Sequence, residues 1–324
     1  MRGLLGLTVS VAVALAGVLA FAPRGTPPQP ESTVPVARMQ LFGISQTSAG
    51  LLVAGELGHI RLSADGGQSW HAADVQPQRH AMLTRVVFAD PQQGLALGHE
   101  GLILLSNDGG RRWQERAFSE GDGDPLLDAA RLPSGDWLVV GAFGRVLRSR
   151  DGGQSWKNEA IEGLSDWHLN GIAGSADGQR WLIVGEAGSL LRSRDGGNSW
   201  QALPAFYDGS LYGALSLGEG RWLAYGMRGR VFRSLDDGET WQALSLPGKF
   251  SIYRAELTAA GQLLLAGQGG VLLLSQDEGD SFSLLREGQE SITDLLLPAQ
   301  GPLLLASDAG LRSFTAPIPN EVVQ

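Results

Sequence analysis

The chain has 324 residues, 43% of them apolar, with 46 glycines and a formal net charge of −9. That apolar fraction supports a packed core and excludes a disordered chain, while the acidic balance argues against nucleic acid as the main partner, because phosphate binding needs a basic face. There is no cysteine, so disulfides, thiolate metal sites, cysteine nucleophiles and lipid attachment at an N-terminal cysteine are all excluded.

Arg2 precedes an uncharged, mostly apolar run from Leu4 to Ala22 that closes on Ala20-Phe21-Ala22. A basic start, an apolar middle and small residues at the end read as an export signal. The run is also just long enough to span a bilayer. Residues 1–22 are therefore expected to carry the chain across a bacterial inner membrane, as a cleaved signal peptide or a retained anchor, into the periplasm or another extracytoplasmic space. Residues 23–37, Pro-rich and polar, read as a linker.

From residue 38 a repeat takes over. Seven apolar runs end in a Gly-x-x-Gly-like turn, beginning with "LLVAGELG" and "GLALGHEG" and ending with "LLLASDAG", where Ser307 replaces the first glycine. Two short apolar runs around such a turn form a β-hairpin. Six of the hairpins lead into the pattern S-x-D-x-G-x-x-W, as in "SRDGGQSW" at Ser149–Trp156 and "SRDGGNSW" at Ser193–Trp200. Its aspartates are Asp65, Asp108, Asp151, Asp195, Asp236 and Asp277, 41–44 residues apart; its aromatics are Trp70, Trp113, Trp156, Trp200, Trp241 and, in the last copy, Phe282. An inner strand before each hairpin ("LTRVVF", "SITDLLL") and an outer one after each Asp motif ("WHAADV", "WQALSL") complete a four-stranded unit. Units of this length and content are propeller blades, and a closed ring leaves no open sheet edge. The fold expected is all-β, a seven-bladed β-propeller of four-stranded antiparallel blades over residues 38–316, with 317–324 as a tail.

Six equivalent aspartates on six equivalent turns are architecture rather than catalysis. The serine and aspartate can hydrogen-bond turn amides, the glycine permits a positive φ, and the tryptophan can bury its ring against the turn. The seventh unit lacks the motif and a clear fourth strand. Residues 32–38 are expected to complete it, because Pro317 and Pro319 make the C-terminal tail a poor strand.

The pattern resembles the Asp-box, or bacterial neuraminidase, repeat. The whole arrangement resembles the photosystem II stability/assembly factor family of seven-bladed propellers. The segments "VLRSRDGGQSW" and "LLRSRDGGNSW", preceded by "VVGAFG" and "IVGEAG", carry the resemblance. It implies an exported, non-enzymatic scaffold or assembly factor, a monomeric propeller whose partner is an envelope or inner-membrane protein. The alternative is a sialidase-like glycoside hydrolase. Its best cluster is Tyr253, Arg254 and Glu256 in "YRAE", but the arginine triad and the Arg-Ile-Pro signature of that class are missing and its rings have six blades. The five histidines show no compact ligand spacing and no phosphate-cradling loop is present, so neither metal nor cofactor is expected.

Counting back 13 residues from each hairpin turn gives an inner-strand column of Phe42, Arg85, Asp128, Gly213, Arg254 and Asp294, with Asn170 in the fourth blade if a two-residue insertion is allowed there. Arg85, Asp128, Asn170, Arg254 and Asp294 are thus candidates for the mouth of the channel. The Gly-x-x-Gly turns and the loops between blades should share one face. It would carry Glu56, His99, Glu186, Arg228, Gln268 and Asp308, joined by Arg79, Trp167, Tyr207 and Phe250. Aromatics among mixed charges suit a protein-binding surface.

Overall fold

The structure, a computed structural model, describes residues 34–121 and 123–315, together with residues 11, 13 and 15–17. Most of the export signal and of the linker, and the tail at 317–324, lie outside the described residues. No helix among the described residues is long and apolar enough to cross a membrane.

Seven sheets form seven blades. Their innermost strands are Leu41–Thr47, Leu83–Phe88, Leu126–Arg131, Leu169–Gly174, Leu211–Gly218, Ile252–Leu257 and Ile292–Leu296 in blades 1 to 7. Every pairing within a blade is antiparallel, in the order inner, second, third, outer. The ring closes where the Thr293 hydroxyl of blade 7 donates to the Leu41 carbonyl of blade 1 at 2.7 Å. The expected propeller is what the chain builds.

The core lies between blades. Leu95 and Leu97 of blade 2, for example, pack with Leu126, Trp137 and Val139 of blade 3. A second strand is therefore covered on both faces, which is why Trp137–Gly141 is buried throughout and reads as an unbroken apolar run instead of an alternating one.

Three details depart from the sequence reading. The outer strands are short, only His71–Ala72 in blade 1 and Lys157–Asn158 in blade 3. The chain after His71–Ala72 forms a further strand, Asp74–Gln76, that runs parallel to the outer strand of blade 2, Arg112–Ala117, giving that sheet five strands. Blade 7 has three strands of its own. Beside its third, Gly310–Phe314, the Leu311 amide donates to the Val36 carbonyl at 3.2 Å, and Arg312 reaches the Ala37 carbonyl. Residues 35–37, within both the 23–37 linker and the segment 32–38 expected to complete this blade, dock in the fourth position, as a turn rather than a strand, and the compact unit begins at Pro35.

Candidate functional site

The innermost strands share one irregularity. In each of the seven, one residue bulges out of the pairing with the second strand: Phe42, Thr84, Leu127, Asn170, Tyr212, Tyr253 and Thr293. A bulge re-aims the side chains that follow it. The next position is then equivalent around the ring: Gly43, Arg85, Asp128, Gly171, Gly213, Arg254 and Asp294. The fixed count of 13 misplaced Phe42, because blade 1 is one residue shorter than the common length, and the two-residue insertion allowed in blade 4 overshot, because that blade is only one residue longer. Phe42 and Asn170 belong to the bulge column.

The two columns bound a cavity of about 140 Å3 on the axis, lined by Arg85, Asp128, Asn170, Tyr225, Tyr253 and Arg254 among others. Its charges are linked in a chain. Arg85 Nε lies 3.1 Å from Asp128 Oδ1, and Arg85 Nη1 lies 3.3 Å from Asp294 Oδ2. Arg254 Nε lies 3.1 Å from Asp294 Oδ1, and its Nη2 3.1 Å from Glu256 Oε1. Asp294, only 3% exposed, also accepts the amides of Ile44 and Leu295. Asp128 accepts those of Ile172 and Ala129. Burial pulls the Arg254 guanidinium toward losing its proton, but Asp294, Glu256, Tyr225 and Asp128 outweigh it and hold it charged well above its ordinary value.

Sequence reasoning missed Tyr225. It sits on the second strand of blade 5, yet its hydroxyl fills the space beside Gly213, where a Cβ would stand 2.3 Å from it. Burial raises its phenol pKa. The available signal was Gly213 itself, a column position without a side chain, as at Gly43 and Gly171. Asn170 lines the cavity, but its amide is spent on the Leu211 carbonyl at 2.8 Å. In the enzyme-like cluster Glu256 is paired with Arg254, and Tyr253 packs its ring on Tyr212 at 5.5 Å.

The loops between blades and the Gly-x-x-Gly turns do share a face, as the Gly144 amide donating to the Trp167 carbonyl and the Gly188 amide donating to the Gly209 carbonyl show. On it, Glu56 accepts the amide of Gln40, Glu186 that of His168, Gln268 that of Ser251 and Asp308 that of Ser291. This bond pins four of the turns to the start of the inner strand of their own blade, a structural task for residues first singled out as binding candidates. Tyr207 is half-buried against Phe232 at 5.2 Å. Arg79 pairs with Glu115 at 2.7 Å and lies over the Phe118 ring. His99, Arg228 and Trp167 remain open to solvent. The sequence reading also missed Phe143, 59% exposed at the second position of its turn with a φ of 53°. A large apolar residue held exposed in the left-handed region is an arrangement that packing alone does not favour.

The Asp motifs lie on the opposite face, at the turn from third to outer strand. In each, the serine hydroxyl donates to the aspartate and accepts the amide of the glycine, as in Ser193 to Asp195 at 2.8 Å and Gly197 to Ser193 at 2.9 Å. One related turn was overlooked between the first two strands of blade 4: the Ser175 hydroxyl donates to Asp177 and the Trp181 indole to the Gly178 carbonyl, but the serine hydroxyl accepts the Arg180 amide instead of the glycine's. Its spacing, S-x-D-G-x-x-W, lacks one residue of the main pattern.

Comparison with known proteins agrees with this geometry. Residues 124–249, blades 3 to 5, match the family described as photosynthesis system II assembly factor YCF48. No curated protein matches the chain. Among solved structures, YCF48 bound to D1 peptide superposes with a TM-score of 0.68 at 18% identity, covering 90% of this chain and 97% of that one. YCF48 from Cyanidioschyzon merolae gives 0.66 at 15% identity, covering 86% and 95%. A catalytically inactive virginiamycin B lyase from Staphylococcus aureus with quinupristin gives 0.70 at 10% identity, covering 87% and 96%.

Proposed function

We propose that this photosystem II assembly factor-like propeller is a non-enzymatic scaffold, exported from the cytoplasm, that holds a membrane or envelope protein against its loop face and channel mouth. The match of blades 3 to 5 to an assembly-factor family is the observation that carries this reading. One of its structural relatives is known with a peptide bound, D1. Likeness to a lyase propeller at 10% identity speaks only for the fold.

The axial cavity supports the same reading from its chemistry. A glycosidase of the sialidase type needs arginines free to grip a substrate carboxylate and a tyrosine activated by a glutamate. Here Arg85 and Arg254 are committed to Asp128, Asp294 and Glu256, and Glu256 serves Arg254. Such a network fixes shape rather than turning over a substrate. A rigid ring with a broad loop-lined face is suited to holding a protein segment.

The test is a pull-down from detergent-solubilised envelope membranes with the purified propeller, run beside a panel of sialosides and other glycosides. Recovery of one membrane protein without turnover is expected. Turnover lost on Tyr253→Phe or Glu256→Gln, with no membrane protein recovered, would replace this reading with the hydrolase. Export is tested separately by fusing alkaline phosphatase after residue 40. An active fusion is expected, and an inactive one at normal expression defeats the export claim.

A further inference from the structure

Beside Trp167 the loop side of blade 4 carries an apolar groove of about 230 Å3. Leu164 and Trp167 of the loop joining blades 3 and 4 form one wall, and Ala187, Leu190, Leu203 and Ala205 form the other. Trp167 is 52% exposed and stands at the rim. Phe143 stands close by, its ring 4.7 Å from that of His168, the residue after Trp167. Exposed aromatics beside an apolar cleft are the usual anchors of a protein interface.

No charged side chain is among those that line the groove, and the charge beside it is mostly acidic. The lining segments with their flanks, residues 160–170, 185–191 and 201–209, contain Glu162, Asp166, Glu186 and Asp208 and no lysine or arginine; Arg145 stands two residues beyond Phe143. Glu186 is turned to the His168 amide and ring. Glu162, Asp166 and Asp208 are exposed and form no ion pair with any described residue. Some carboxylates elsewhere on the ring are matched by arginines, as Glu115 is by Arg79 and Glu239 by Arg192 and Arg194. Unmatched acids around an apolar cleft repel an anionic lipid surface and attract a cationic chain.

We infer that this groove is the docking site for an extended, basic segment of the partner protein, which seats a large apolar side chain against Trp167 and sets lysines or arginines against Glu162, Asp166 and Asp208. The inference rests on the scaffold reading and narrows it to one place and one chemistry. The apolar contact supplies most of the affinity, and the three carboxylates supply selection and attraction at a distance.

The test uses the whole propeller and three labelled peptides in anisotropy titrations: alternating lysine and leucine, alternating lysine and serine, and alternating glutamate and leucine. The lysine–leucine peptide should bind best. Raising salt from about 0.05 M to about 0.5 M should weaken it, since exposed charges are screened over a few ångströms at the higher value. Trp167→Ala should weaken it about tenfold. The triple variant Glu162→Gln, Asp166→Asn, Asp208→Asn should remove most of the salt dependence. All four side chains are exposed, so neither variant should lower the melting temperature. Equal binding of the glutamate–leucine peptide, or affinity unchanged by both variants, overturns the inference. The membrane pull-down separates the two claims. If Trp167→Ala recovers the partner as well as the parent protein does, the groove is wrong and the scaffold reading stands. If the parent protein recovers nothing, the scaffold reading falls while the peptide titrations still decide the groove.

Discussion

The serine of each Asp motif does more than its place in the pattern implied. Ser193 is buried, and its hydroxyl is at once donor to Asp195 and acceptor of the Gly197 amide. Gly197 has a φ of 82°, so its amide points inward, where only that hydroxyl can meet it. Ser193→Ala leaves a buried amide unpaired and should cost about 1–3 kcal/mol. Asp195 is exposed and its loss should cost less. A urea titration that ranks the two the other way round would reassign the motif. The aspartates also set the response to acid. Hydrogen bonds from the Ser281 hydroxyl and amide and the Ser275 hydroxyl hold the Asp277 carboxyl at about 2, below its ordinary 3.8. The Thr240 hydroxyl and amide likewise lower Asp236. A group depressed in the folded state adds stability that is present above its unfolded pKa and is lost as pH falls through the folded one. Thermal stability should thus be insensitive to these groups down to about pH 4 and fall between about pH 4 and pH 2. A melting curve already falling steeply between pH 7 and pH 5 would point to groups other than these aspartates.

Among the elements, three third strands carry an arginine just before the motif serine, and each arginine reaches into the motif of the next blade. Arg148 of blade 3 donates to the Gly197 carbonyl, Arg192 of blade 4 to the Asp237 carbonyl and the Glu239 carboxylate, and Arg233 of blade 5 to the Glu278 carbonyl. Arg148 takes the carbonyl that corresponds to the one the indole uses in other copies, and Trp200 Nε1 is left without a partner. The sequence showed these arginines in "LRSRD" and "FRSLD" but not their direction, because a bond between neighbouring blades has no local signature. The hairpins and motif turns were legible for the opposite reason: their glycines and their period are written within each unit. The bulges were not legible, since a one-residue change in strand length looks the same as an insertion in a turn. Arg192→Met should cost about 2 kcal/mol, because several hydrogen bonds from a charged donor are lost while Glu239 is free to return to water. Arg192→Lys should recover part of it. Denaturant midpoints measure both. Equal midpoints for Arg192→Met and the parent protein would show that the blades are held by apolar packing alone.

At the scale of the whole molecule, one carboxylate ties together four blades. Asp294 of blade 7 accepts the Ile44 amide of blade 1 and meets Arg85 of blade 2 and Arg254 of blade 6. Arg85 carries the link on to Asp128 of blade 3, which takes the Ile172 amide of blade 4. The glycines of the same column let their neighbours approach closely: a Cβ at Gly43 would meet Val86, one at Gly171 the backbone at Gly213, and one at Gly213 the Tyr225 hydroxyl. A network of this kind is a poor place to test binding by charge reversal. Arg85→Glu and Arg254→Glu would not separate a loss of binding from a loss of fold. Either change sets a second carboxylate beside the buried Asp294, and the ring itself should loosen. Removing Asp294 shows the role more cleanly. Asp294→Leu leaves Arg85 only Asp128 and Arg254 only Glu256, strands the amides of Ile44 and Leu295, and should cost about 3–5 kcal/mol, the range for breaking a buried ionic pair from one side. Combining it with Arg85→Met or Arg254→Met removes a contact that Asp294→Leu has already broken, so each double variant should cost less than the sum of its two single changes. Denaturant titrations of the single and double variants give the comparison. If the losses simply add, the network contributes to ring stability as a sum of independent contacts, and the interlock across blades is refuted.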